Sequence, residues 1–442
     1  MRLFIIIGMM LGLTAAGAQT GARKKAEEKK AINPAPSKPA PQDLSWRQWG
    51  GPNRDFKPPS QGLADKWPQG GPRRLWSRDL GDGYSAVAEE NGVLYTTYRL
   101  PARMWELWKS DQDVIVALDA RTGKTFWEYV YEAPFKNANS EGVGPGPYVM
   151  PQVIGDSVFV ASGTGRFQAL DKKTGKVLWS HDLYEEFKGT RLEFGYSCHA
   201  LPYKNLVIML VGGQGNAIVA FNQPDGAVVW KKQSFKNAHS SPVLINVDGQ
   251  DQVVALTAKE VLGVDPNNGE LLWTYRHVTE YGLAIATPVW GEGNLLFVSS
   301  AYNTGSRVLQ LSRSGGRTDV KQLWYTPKVY VHFGTILRLG DTIYGSSGHS
   351  GPSFVTAVDV KSGNVLWQSR DFAKAHLIAA DGKLIVLDED GNLGLATASP
   401  QGFQVISKVP LLTQLSWTPP TLVGRTLYVR DRRVIMALDL GS

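Results

Sequence analysis

One eleven-residue pattern recurs along this chain and restricts its fold more than any other feature. Ala117 to Trp127 reads ALDARTGKTFW, Ala169 to Trp179 reads ALDKKTGKVLW, and Ala357 to Trp367 reads AVDVKSGNVLW. Looser copies are AFNQPDGAVVW from Ala220 to Trp230 and GVDPNNGELLW from Gly263 to Trp273. The first three residues alternate and end a strand. The Asp carboxylate accepts hydrogen bonds from amides two or three residues on, which forms an Asx-type turn. The Gly supplies the positive φ that such a hairpin turn needs. Alternation then resumes, and the Trp offers a large flat surface for a neighbouring unit. Each hairpin follows two further strand-like runs, as in YSAVAEENGVLYTTY from Tyr84 to Tyr98, where an Asn-Gly turn joins them.

The hairpins start at Ala117, Ala169, Ala220, Gly263, Gln310, Ala357, Ala396 and Ala437, between 39 and 52 residues apart. A period in the forties with four strands per unit predicts a β-propeller. Two units are degenerate. The one at Gln310 has four extra residues before Trp324, and the one at Ala396 has Ile406 where the Trp belongs. The hairpin at Ala437 is cut short at Ser442, while Trp76, in RRLWSRDL, has no Ala-x-Asp before it. These two fragments complete each other. The strand around Trp76 is expected to pair with Val434 to Asp439 and close an all-β, eight-bladed ring of four-stranded blades. Trp76, Trp127, Trp179, Trp230, Trp273, Trp324 and Trp367 are then the docking residues between blades.

The flanking sequence bears on location. Arg2 precedes an apolar run from Leu3 to Leu13, and Ala16-Gly17-Ala18 has the small-x-small form of a cleavage site. That run is too short to span a bilayer, so residues 1–18 read as a secretory signal and the protein as periplasmic or secreted, with no transmembrane segment after cleavage. Residues 19–45 are rich in Lys, Ala and Pro and form an expected disordered linker ahead of the 46–442 propeller. The net charge is +7, of which residues 1–45 hold +4, leaving a nearly neutral body with no electrostatic case for nucleic acid. Cys198 is the single cysteine, so no intramolecular disulfide forms and no C-x-x-C-H haem site exists. GGQG at Gly212 to Gly215 lies between strand-like runs and reads as a turn, not a phosphate loop.

These repeats resemble the quinoprotein-type, PQQ-like β-propeller family with its tryptophan-docking motif. The segment WRQWGGPNRDF from Trp46 to Phe56 resembles that family's N-terminal region, and so do GYS at Gly83, FGYS at Phe194, HSSP at His239 and WTPP at Trp417. The resemblance covers roughly residues 46 to 442. It implies a propeller, and it implies one of two activities. Some members are alcohol or glucose dehydrogenases that bind pyrroloquinoline quinone (PQQ) with Ca²⁺; others are non-catalytic scaffolds of the barrel assembly machinery.

In a propeller the innermost strand of each blade lines the central channel, and the loops leading into it crowd one rim. Those loops hold Tyr84, Ser85, Tyr148, Tyr196, Ser197, His199, His239, Ser240, Thr287, His332, Lys374, His376, Trp417 and Thr418, which are the candidate ligand-binding residues. Four of the seven histidines fall among them. The competing reading is packing, in which polar groups around a central void satisfy one another. No H-x-x-x-H or H-E-x-x-H spacing supports a metal.

Family PQQ alcohol dehydrogenases carry a disulfide between adjacent cysteines, which Cys198 cannot form. Their Ca²⁺ needs carboxylate and amide oxygens, and Glu193 and Asn237 are the weak candidates here. For the three PQQ carboxylates the rim offers Lys374, with Arg191 and Lys236 nearby in sequence. The leading expectation is therefore a monomeric, non-catalytic scaffold of the cell envelope that binds a protein or glycan. The alternative is a PQQ-dependent dehydrogenase acting on an alcohol or sugar; no paired carboxylates point to glycoside cleavage. The insertion RLPARMWELWKSD, from Arg99 to Asp111, offers Met104, Trp105, Leu107 and Trp108 as a packed flap or a partner contact.

Overall fold

The computed structural model describes residues 43–100, 111–135, 144 and 146–441. The expected signal at residues 1–18, most of the expected linker at 19–45, and Met104, Trp105, Leu107 and Trp108 lie outside the described residues. Leu44–Ser442 forms one compact unit, and Ser45 is already buried in it.

Eight antiparallel sheets of four strands stand around one axis. Blades 1 to 7 are sequential and span 88–132, 152–182, 201–232, 243–276, 289–326, 337–369 and 375–410. Blade 8 takes its three inner strands from Thr421–Val423, Thr426–Arg430 and Val434–Asp439, and its outer strand is Arg73–Asp79. Trp76 is opposite Ala437 in that ladder, the pairing that closes the ring. The middle strands of the blades are almost wholly buried, because both of their faces are covered by neighbouring blades.

The turn pattern behaves as its chemistry requires. Asp171 Oδ1 accepts from the amides of Lys173 and Thr174 at 3.1 and 2.8 Å. Asp119 and Asp359 repeat this geometry. Gly175 has φ +71°, and it is needed for a second reason. A Cβ there would stand 2.4 Å from the ring of Trp127 of the preceding blade. Gly123, Gly226, Gly269 and Gly363 meet Trp76, Trp179, Trp230 and Trp324 in the same way.

Each docked indole also donates Nε1–H across the blade boundary. The acceptors of Trp76, Trp127, Trp179, Trp230 and Trp324 are the carbonyls of Ala120, Lys172, Gln223, Pro266 and Val360, each one residue past the motif's Asp or Asn. Trp367 donates to Ser399.

Two boundaries depart from this rule, both at the degenerate units. In blade 5 the ladder pairs Val308 with Trp324, so the repeat begins at Val308 and not at Gln310, and six residues are inserted instead of four. The hairpin extends to Ser314 and Arg317, leaving no Asp turn level with Trp273. Trp273 folds back over its own blade and donates to Gln252 Oε1 at 2.7 Å. Gln252 Nε2 in turn donates to Thr318 of blade 5 at 2.9 Å, so a buried amide relays the contact. Blade 7 has no Trp of its own. Trp67, from the segment before the first strand, is buried there, with its amide on Ser407 of blade 7. Three residues earlier, the Ala64 amide donates to Leu440 of blade 8.

The residues from Trp46 to Lys57 run across the channel at the ends of the inner strands. Trp46 exchanges backbone hydrogen bonds with Glu89 of blade 1, and Arg47 accepts from Val153 of blade 2. Arg54 donates to Pro202 of blade 3, Lys57 to Arg338 of blade 6, and Phe56 accepts from Ala379 of blade 7. A segment touching inner strands from so many blades must lie on the axis.

Candidate functional site

The loops leading into the inner strands converge on the opposite end of the channel, around a cavity of about 300 Å³. Of the sequence-predicted residues, Tyr84, Tyr148, Ser197, His199, His239, Thr287, His332, His376 and Trp417 line it. They meet because equivalent positions of a ring face one axis. Seven residues not named as candidates complete the wall: Trp49, Phe194, Ser241 and Pro419, which fall inside the quoted family motifs, and Ile285, Tyr302 and Phe333, which do not. Trp49 is the floor. Its ring stacks on His199 with centroids 4.1 Å apart, and its Nε1–H donates to Thr287 Oγ1 at 3.1 Å.

The wall is mainly aromatic. Tyr84 lies between Tyr148 and Trp417, with both centroid separations 5.4 Å. Phe333 meets Trp417 at 5.0 Å, and Tyr302 meets His332 edge-on at 5.1 Å. Trp417 is fixed by donating Nε1–H to Glu389 at 2.9 Å.

Into this wall are set four imidazoles, each held by one nitrogen. His199 Nδ1 is 2.6 Å from Ser241 Oγ, and His239 Nδ1 is 2.8 Å from Ser197 Oγ. His332 Nε2 is 2.7 Å from the Tyr302 hydroxyl, and His376 Nε2 is 2.9 Å from the Trp417 carbonyl. The second nitrogen of each is itself buried and, among the described residues, has no hydrogen-bond partner. Burial depresses the pKa of His199 and His332 to about 3 and of His239 and His376 to about 4, because the imidazolium would lose its hydration.

The remaining candidates do not line the cavity. The Tyr196 hydroxyl donates to the Leu210 carbonyl, and Ser240 donates to Ala286. Thr418 is buried beside the wall. Ser85 accepts, through its carbonyl, from the guanidinium of Arg430, which is fully buried in blade 8. Arg430 also donates to the carbonyls of Gly81, Gly83 and Thr97 around blade 1. Lys374 stands behind the wall, 3.7 Å from Glu389 and 4.8 Å from the Phe333 ring centroid. Cys198 donates to the Ala238 carbonyl, and burial pushes its thiol up to about 12, so it is no nucleophile. Among the described residues, no group of three or more His, Cys, Asp or Glu side chains could hold a metal ion, and no helix is long and apolar enough to cross a membrane.

Comparisons with known proteins agree with this architecture. Residues 65–187 and 110–369 match the PQQ_2 family, described as outer membrane protein assembly factor BamB. The outer membrane protein assembly factor BamB of Yersinia pestis is 26% identical over 318 residues, covering 66% of this chain and 75% of that protein. The crystal structure of BamB from Moraxella catarrhalis superposes with a TM-score of 0.57 at 19% identity, covering 83% of this chain and 97% of that one. Quinohemoprotein alcohol dehydrogenase from Comamonas testosteroni superposes at 0.64 with 13% identity, covering 90% and 81%. At such identities the two superpositions establish the fold alone.

Proposed function

This chain belongs to the PQQ_2 family of outer membrane protein assembly factor BamB, and from that premise we propose that it is an exported, non-catalytic scaffold that holds other proteins during outer-membrane assembly. Family membership over residues 65–369 is the observation that carries this reading. The name of the relatives places their work at the outer membrane, which agrees with the secretory signal expected at residues 1–18. A closed ring suits a scaffold, because its loops are displayed on a frame without free inner edges.

The PQQ-dependent alternative fails a fit test at the cavity. PQQ carries three carboxylates and is held with a divalent ion, yet the cavity lining, among the described residues, contains no Lys, Arg, Asp or Glu. Glu193 and Asn237, the candidate ion ligands, lie together with Arg191 and Lys236 in an adjoining surface depression that shares only His239 with the cavity lining, among the described residues. The chain's residues do not fit the cofactor, and no redox step is assigned to them.

The test is genetic. Removing the chain from its own cell should lower the amount of folded β-barrel protein in the outer membrane, and the full-length chain should restore it. Unchanged barrel levels, together with PQQ-dependent alcohol oxidation by the purified protein, would replace the scaffold with the enzyme.

A further inference from the structure

Trp49, the floor of the channel cavity, also lines a second cavity of about 180 Å³. The two share Trp49, Ile285, Thr287 and Phe333, but their charge differs. Among the described residues, the channel cavity has no Lys, Arg, Asp or Glu in its lining. The second holds Arg54, Lys57 and Arg338 against one carboxylate, Asp55.

The segment from Trp46 to Lys57 sets the place of this cavity. It turns with the Arg54 amide on the Gly51 carbonyl and the Phe56 amide on the Gly50 carbonyl. Arg54 then reaches Pro202 of blade 3, and Lys57 reaches Arg338 of blade 6. Among the described residues, Arg54 to Lys57 make no hydrogen bond to the inner strands of blades 4 and 5, Val243–Val247 and Val289–Gly291. The gap left there is walled by Val243, Leu244, Val289 and Trp290.

Arg54 is the group this gap leaves without a counter-charge. Its Nε–H donates to Gln48 Oε1 at 2.8 Å and Nη2 donates to the Pro202 carbonyl at 3.0 Å, both neutral acceptors. Burial lowers its pKa to about 10, and no carboxylate offsets that shift. Nη1 has no protein acceptor among the described residues, yet it is not among the sealed polar atoms, so a group arriving from solvent reaches it. Lys57 Nζ donates to the Arg338 carbonyl at 3.2 Å and pairs with Asp55 at 3.1 Å, which leaves one of its three donors. Arg338 is held by the carbonyls of Gly340 and Glu292, with Asp341 no nearer than 3.9 Å. Its Nη1 is sealed in, so Arg338 adds positive potential and not a contact. An anion supplies the missing charge, and a planar carboxylate suits the edge of a guanidinium. The aliphatic and indole walls favour an apolar body behind it.

We propose that this second cavity binds a small carboxylate, its oxygens on Arg54 and Lys57 and a short branched apolar body against Val243, Leu244 and Trp290. The volume of about 180 Å³ holds only a few carbons beside the carboxylate. The site is separate from the scaffold reading, and neither depends on the other.

The test is calorimetric titration of the full-length protein with 4-methylpentanoate. The corresponding amide keeps the body without the charge, acetate keeps the charge without the body, and inorganic phosphate is a different anion. The acid should bind with a millimolar or tighter Kd, and the amide and acetate at least about tenfold more weakly. Arg54→Gln should weaken the acid about tenfold or more, the loss of one charge-assisted hydrogen bond. If that variant does not fold, Lys57→Gln supplies the same comparison. N-acetylleucine separates two sources of this chemistry: tighter binding than 4-methylpentanoate assigns the site to the carboxyl end of a polypeptide, weaker binding to a free acid. Three results would overturn the proposal: no binding of either acid at about 20 mM, the amide bound as well as the acid, or phosphate bound more tightly than both. A folded Arg54→Gln variant with unchanged affinity would also overturn it.

Discussion

At the residue scale, the first position of the repeat shows how far a pattern can mislead. Six copies have Ala there, and Gly263 looks like a defect that a consensus substitution would repair. The structure gives the opposite sign. A Cβ on Gly263 would lie 2.2 Å from Nε1 of Trp273, which has turned inward for want of an acceptor on blade 5. Gly263→Ala should destabilise the protein by about 1–3 kcal/mol, the usual cost of overpacking. Urea unfolding checks this, and a rise in midpoint would refute it. The Asp, Gly and Trp of the repeat were legible because each acts inside its own hairpin or on the adjacent one. Trp49, Trp67 and Arg430 were not. Their partners include Thr287, Ser407 and Gly81, separated from them by 238, 340 and 349 residues, and no local periodicity reports such contacts.

At the scale of elements, the ring closes through two features that differ in legibility. The pairing of Arg73–Asp79 with Val434–Asp439 followed from two incomplete repeats that fit together. The second lies at the same boundary and is polar. Arg430 places a fully buried guanidinium against five carbonyl oxygens, those of Gly81, Gly83, Ser85, Thr97 and Asp431. No sequence signal separates such an arginine from a surface one. Arg430→Met would retain much of the packing but strand those carbonyls, each costing about 1–3 kcal/mol when buried without a donor. A loss of about 3 kcal/mol or more is expected, read as a lower urea midpoint with an unchanged slope. Deleting residues 73–80 should do more. It removes Trp76 from Ala120 and leaves Val434–Asp439 as a bare edge, so blade 8 loses both a strand and its dock on blade 1. A single cooperative thermal transition at the original temperature would contradict closure by that strand.

At the scale of the whole molecule, buried imidazoles couple the ring to pH. Besides the four in the cavity wall, His277 is fully buried against Ser300, and burial holds it at about 3. In the unfolded chain all five titrate near 6.5. Below that pH the unfolded state takes up protons that the folded state refuses, so stability is full above 6.5 and falls as pH drops toward 4. Each imidazole adds a slope approaching about 1.4 kcal/mol per pH unit once its unfolded form is protonated. Five together amount to several kcal/mol per unit near pH 5, against a total stability that for most domains is only about 5–15 kcal/mol. The carboxylates held low by hydrogen bonds, such as Asp171, lose their contribution only at still lower pH, so the two effects separate. Urea midpoints measured at pH 7.5, 6 and 5 should therefore decline, with the steepest loss below 6. His277→Asn lies outside the cavity and should reduce the slope by close to one proton. A midpoint that stays flat from pH 7.5 to 5 would mean that these rings take up protons in the folded state.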